Sequence, residues 1–90
     1  ENEDKNLIKL KKAIFISERA DEGDLISLLS PVLISDSVWR YQSLKFLGDY
    51  YFSKKEFNKA KQYYSDILTL NNSNNDLSDI NRKIKIINNE

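Results

Sequence analysis

The chain is 90 residues long, with 14 basic and 14 acidic side chains, a formal net charge of zero, and neither histidine nor cysteine. A chain this short buries only about 60% of the surface it exposes when unfolded, which suits one small domain or a part of a larger one. Nucleic acid or an anionic membrane surface is a poor partner for it, because both call for clustered Lys and Arg without matching acids, and the first 45 residues hold seven basic against eight acidic side chains.

The absence of cysteine removes disulfides and thiolate metal sites. With no histidine either, acid–base work would fall to carboxylates, Tyr and Lys. No Gly-rich phosphate loop, nucleophile elbow or metal-ligand pair occurs. The expectation is a non-enzyme with no cofactor, no metal and no small-molecule substrate. No apolar run approaches the roughly 20 residues of a bilayer span. Residues 1–6, Glu-Asn-Glu-Asp-Lys-Asn, are acidic and polar where a signal peptide is basic and then apolar. An intracellular setting, cytoplasmic or nuclear, is expected. Methionine is missing even at position 1, which leads us to expect that the ends are cut points in a longer chain. Leu and Ile supply 21 residues against two Gly and one Pro, the balance of helices joined by few turns.

The first helix is expected over 6–20, where Leu7, Leu10, Ala13, Ile14, Ser17 and Ala20 recur at three- and four-residue steps. Ile8, Phe15 and Ile16 widen that stripe, so the helix needs cover on more than one side. Gly23 is expected to end it with a positive φ, and Asp24 to cap a second helix over about 25–34. That helix carries Leu25, Leu28, Leu29, Val32 and Leu33, and Pro31 is expected to kink or split it. Ser35, Asp36 and Ser37 are candidate caps for a third helix over 38–53. Lys54, Lys55 and Glu56 make a polar turn, and a fourth helix follows over 57–70 through Ala60, Tyr63, Tyr64, Ile67 and Leu68. Residues 71–76, Asn-Asn-Ser-Asn-Asn-Asp, form a polar loop. A fifth helix over 77–88 carries Leu77, Ile80, Ile84 and Ile87, capped by Ser78 or Asp76.

Leu44, Leu47, Gly48, Tyr51, Phe57, Ala60, Tyr64 and Ile67 stand at the spacings of a tetratricopeptide repeat, and residues 41–72 resemble one. Gly48 and Ala60 are the small residues at which two antiparallel helices approach closely, and the larger side chains fill the space around that crossing. The Pro that usually closes the repeat falls near Asn72. Residues 6–34 resemble a divergent earlier hairpin, as terminal repeats often do. The fold expected is all-α: antiparallel helical hairpins forming a right-handed α-solenoid fragment of about five helices in one domain. An ordinary helical bundle is the competing reading.

The string Leu28-Leu29-Ser30, the hairpin from Tyr41 to Leu70, the polar insert, and Leu77-Ser78-Asp79-Ile80 before Lys83 are together similar to the N-terminal region of subunit seven of the anaphase-promoting complex, a tetratricopeptide protein. That resemblance implies a cell-cycle ubiquitin-ligase scaffold component that pairs with its own copy. Under the repeat resemblance, Gln42, Lys45, Asp49 and Phe52 line a concave groove and would meet a peptide, while plain solvent exposure is the alternative. Leu7, Leu10, Ile14, Leu28 and Leu29 are the candidates for self-association as a homodimer. Three consecutive aromatics, Tyr50, Tyr51 and Phe52, are more than one helix face can bury, so Phe52 is a candidate contact. Lys54, Lys55, Lys59 and Lys61 read as a solvated face or a grip for an acidic peptide. Trp39 reads as an interface anchor or as cover for the second helix. Asp21, Glu22 and Asp24 read as cap and turn. The function expected is a protein-interaction scaffold, or alternatively a peptide-binding adaptor.

Overall fold

The structure, a computed structural model, describes residues 2–70 and 76–89. It is all-helical, with α1 at Asn2–Ile16, α2 at Glu22–Leu33, α3 at Arg40–Ser53, α4 at Phe57–Leu68 and α5 at Ser78–Asn88, and no strand among the described residues. No described helix is long and apolar enough to cross a membrane. Residues 71–75 of the expected Asn-rich loop lie outside the described residues. The chain forms two compact units, Glu1–Ser43 and Leu44–Glu90, a division that falls inside α3 rather than between hairpins.

In the first unit α1 and α2 pack as an antiparallel hairpin. Leu10 and Ala13 of α1 and Leu25, Leu29 and Val32 of α2 are buried. The Glu3 carboxylate closes the open end: it accepts from Ser37 Oγ at 2.6 Å and from Val38 N at 3.1 Å. Those bonds, led by the one from Ser37, hold the carboxyl of Glu3 below its usual range. Helix α1 starts four residues earlier than its apolar stripe predicts, because its first turn is acidic and matches the positive end of the helix dipole. It also stops earlier, at Ile16, where Ser17 Oγ donates to the Ile14 carbonyl at 2.9 Å.

The expected roles of Gly23 and Asp24 are corrected. Helix α2 is capped by Asp21, whose Oδ1 accepts from Asp24 N at 3.0 Å. Gly23 therefore lies inside the first turn of α2, and no glycine has a positive φ. Of the expected kink or split at Pro31, the split is absent: α2 runs through it to Leu33. Pro31 lies in the last turn, where its missing N–H removes one bond near an end that frays anyway.

In the second unit α3 ends by a backbone device. Glu56 N donates to the Tyr51 carbonyl and Lys55 N to that of Phe52, both at 3.0 Å, with Lys55 at φ 62. This is the paired-bond stop that glycine usually supplies. Helix α4 buries Ala60, Tyr64 and Ile67, four and three residues apart. Helix α5 packs on α4 and buries Ile80 and Ile87, two turns apart. Asp76 Oδ1 accepts from Ser78 N at 3.0 Å in a turn just ahead of α5, but the N-cap position is Leu77, so neither Asp76 nor Ser78 is the expected cap. Gly48 and Ala60 are both buried, but the three atoms nearest to where a Cβ on Gly48 would stand all belong to the ring of Tyr64, at 2.5, 2.7 and 3.1 Å. The small residue of α3 makes room for the Tyr64 ring.

The three backbone positions should respond with different signs. Gly48→Ala drives a methyl into the Tyr64 ring, and we expect a net loss of about 1–2 kcal/mol despite the gain in helix propensity. Gly23→Ala meets only Asp21 Oδ1 at 3.5 Å, an ordinary contact, and should stabilise by roughly 0.5 kcal/mol. Lys55→Gly relieves a left-handed backbone and should stabilise by about 0.5–1 kcal/mol. Urea unfolding followed by circular dichroism checks all three; equal effects at Gly48 and Gly23 would contradict the close approach.

Candidate functional site

Three of the four expected groove residues turn out to be engaged by α5. Lys45 Nζ lies 3.0 Å from Asp49 Oδ2, one helical turn on, and 3.3 Å from Asp79 Oδ2 of α5. Lys83 Nζ of α5 bridges the same two carboxylates, at 2.9 Å from Asp49 Oδ1 and 3.1 Å from Asp79 Oδ2, and sits 5.5 Å from the ring centre of Phe52. Arg82 closes on Asp79 from the other side. Tyr64 Oη donates to Asp49 Oδ1 at 2.6 Å. Two acids, three cations and a phenol thus form one cluster that holds α3, α4 and α5 together. Gln42 is exposed.

The electrostatics follow from this crowding. Burial pushes Asp79 up, but hydrogen bonds from Lys83, Arg82 and Lys45 outweigh it and bring the carboxyl from 3.8 down to about 2. Asp49 is likewise lowered: burial opposes, and bonds from Tyr64, Lys83 and Lys45 prevail. Lys45 is raised, since its pairing with Asp49 and Asp79 outweighs the effect of burial. Burial, and then the bond to Asp49, push the Tyr64 hydroxyl well above its ordinary range.

The self-association candidates divide by burial. Leu10 is 5% exposed and Leu29 0%, so both belong to the interior of the first unit and are corrected from contact to core. Leu7 and Leu28 are half-buried, and Ile14 is 52% exposed. The apolar surface outside those candidates is larger. Ile8 is 63% exposed and Phe15 89%, and Ile34 and Val38 are also exposed, so the first unit holds five of the seven large apolar side chains left open among the described residues. Ile8 and Phe15 stand half a turn away from Leu10 and Ala13 by helical geometry. Their exposure was hidden in the sequence by the breadth of the apolar stripe, which gives no sign of which edge is covered.

The remaining candidates have local partners. Tyr51 is buried and stacks on Tyr63 with ring centres 5.8 Å apart, Tyr50 meets Tyr51 edge-on at 5.2 Å, and Phe52 lies 5.5 Å from Phe57. All three consecutive aromatics therefore find rings, so Phe52 is not a spare one. The basic run is dispersed: Lys54 covers the Tyr50 ring, Lys59 pairs with Glu56, Lys61 donates to Asn88 Oδ1 at 2.7 Å, and Lys55 makes the turn. Trp39 is half-buried, and its backbone N–H donates to Ser37 Oγ. Ser43 Oγ, Arg40 Nε and Tyr50 Oη are buried with no hydrogen-bond partner among the described residues.

Stability should track the cluster's protonation. Depressed carboxylates stabilise fully above their unfolded pKa and lose that contribution as pH falls through the folded value, which for Asp79 is the window from about 4 to about 2. Raised groups stabilise below their unfolded pKa and lose it as pH rises, which for Tyr64 and Lys45 begins near pH 10. Urea titrations across pH should show both limbs. Asp79→Asn should make the acid limb shallower, and Tyr64→Phe should flatten the alkaline limb and cost about 1–2 kcal/mol at pH 7 through the lost bond to a charged acceptor. An acid limb unchanged in Asp79→Asn would remove the cluster's part in stability.

No protein-family model, curated protein or solved structure gives a significant match to this chain, so its function is argued from its own side chains.

Proposed function

We propose that this chain is a non-catalytic protein-interaction scaffold of the tetratricopeptide kind, whose first unit supplies the association surface. The observation that carries the reading is the concentration of exposed apolar side chains in that unit: Ile8, Ile14, Phe15, Ile34 and Val38 all stand open to solvent within 43 residues. Exposed apolar surface on a small unit costs solubility and is the usual mark of a surface that another chain covers. The Gly48–Tyr64 approach and the burial of Ala60 at repeat spacing support the tetratricopeptide part.

Self-association through Ile14, with the half-buried Leu7 two turns before it on α1 and Leu28 on α2, is the form of scaffold that the resemblance implies. Membership of a larger assembly such as a ubiquitin ligase rests on that resemblance. The alternative, a peptide adaptor that captures its ligand with Gln42, Lys45, Asp49 and Phe52, loses support because α5 already engages three of these residues.

Sedimentation equilibrium from low micromolar to several hundred micromolar tests the self-association. We expect a concentration-dependent dimer that Ile14→Glu weakens about tenfold or more, since a charge would then be buried without a partner. A monomer throughout that range would reject it.

A further inference from the structure

The outward face of α1 has a composition that the self-association reading does not use. Ile8 and Phe15 are seven residues apart, two turns or roughly 10 Å along the axis, and point the same way. Lys11 and Lys12 flank the line between them, one on each side, and Lys5 stands a turn before Ile8 on the Lys12 side. All five side chains are exposed. Lys5, Lys11 and Lys12 have no hydrogen-bond or ion-pair partner among the described residues, whereas Asp4, the acid nearest in sequence, is already engaged. Glu18 and Arg19, beyond the helix end, are exposed and cancel each other.

Two apolar side chains fall far short of the roughly 1,000 Å² that marks a stable interface, so complementary charge has to steer and orient whatever covers them. A second copy is the wrong occupant for this face. Antiparallel pairing sets Ile8 against Phe15 of the other copy but also sets Lys11 beside the other Lys11 and Lys12 beside the other Lys12, and parallel pairing sets Lys11 against the other copy's Lys12; both crowd four ammonium groups along one seam. A helix with apolar residues seven apart and carboxylates beside them satisfies the three lysines and covers both side chains at once.

We propose that this face of α1 docks an acidic amphipathic helix of another protein, with Ile8 and Phe15 as the apolar contacts and Lys5, Lys11 and Lys12 pairing with carboxylates. The inference rests on the scaffold reading above and names a second kind of partner for it. Binding is weak and salt-sensitive, because exposed ion pairs carry much of it.

The test uses the 90-residue chain at a concentration where sedimentation finds it monomeric. The probe is a fluorescein-labelled synthetic helical peptide with leucines at seven-residue spacing flanked by glutamates, read by anisotropy. Control probes are the same peptide with lysines for glutamates, a shuffled version that places the leucines on different faces, and vesicles of mixed phosphatidylserine and phosphatidylcholine. The acidic peptide should bind, and binding should weaken several-fold between about 50 and 300 mM salt as screening shortens from roughly 14 to 6 Å. It should fall about tenfold or more in Ile8→Ser with Phe15→Ser, and again in Lys11→Glu with Lys12→Glu. All four positions are exposed, and circular dichroism confirms that the variants keep their helices.

Equal binding of the lysine or shuffled peptide, undiminished binding by both double variants, or binding of vesicles in place of the acidic peptide would each overturn the proposal. If the acidic peptide fails while the dimer equilibrium is present, this docking face is wrong and the scaffold reading stands. If both fail, the scaffold reading falls with it.

Discussion

The second unit depends on the absence of one carbon atom. Because position 48 lacks a Cβ, the ring of Tyr64 can lie directly on the backbone of α3, and any other residue there would place an atom inside the ring's van der Waals envelope. That approach sets the depth at which α4 packs, and depth decides whether Tyr64 Oη reaches Asp49 on the following position of α3 at 2.6 Å. A steric fact at one residue thus becomes an electrostatic fact at the next.

From Asp49 the consequence passes to α5. Asp49 is the hub that Tyr64, Lys45 and Lys83 share, and Lys83 and Lys45 carry the connection on to Asp79. Isolated surface ion pairs contribute little, but here two carboxylates and two lysines form a closed ring in which each charge meets two of opposite sign. The short apolar faces of α5, with Ile80 and Ile87 buried, are supplemented by this ring on its polar side. The arrangement answers a problem that small domains share: when the apolar area is limited, geometry-specific polar contacts select one packing among several that apolar contact alone would tolerate.

The five helices were legible because apolar spacing reports helical period directly, and the acidic run of Asp21, Glu22 and Asp24 was legible as cap and turn. Ends set by backbone were not. Helix α3 stops with Lys55 in a left-handed conformation that a sequence reader expects of glycine, while the glycine at position 23 sits in an ordinary helical turn. The crossing at Gly48 was legible as a small residue ringed by larger side chains, but not which of them lies on it, because spacing tells which residues share a face and not which side chain comes nearest. Lys45, Asp49 and Phe52 were read as open since polarity on a helix face usually means solvent. What reverses that reading is Asp79 and Lys83, 30 or more positions away in sequence, and no local pattern links them.

Breadth of the apolar stripe on α1 was visible, yet its meaning lay in the direction of cover. Leu10 and Ala13 take the side facing α2, and what remains is two differently composed edges: one with Ile14, the other with Ile8 and Phe15 between lysines that have no partner among the described residues. An apolar edge that is not flanked on both sides by like charges accepts its own copy as readily as any partner, whereas one bordered by like charges on both sides repels its own copy and selects for the opposite sign. One helix can in this way present two faces of different selectivity while its third side holds the hairpin together, a division of labour that a wider, uniformly apolar helix would not permit.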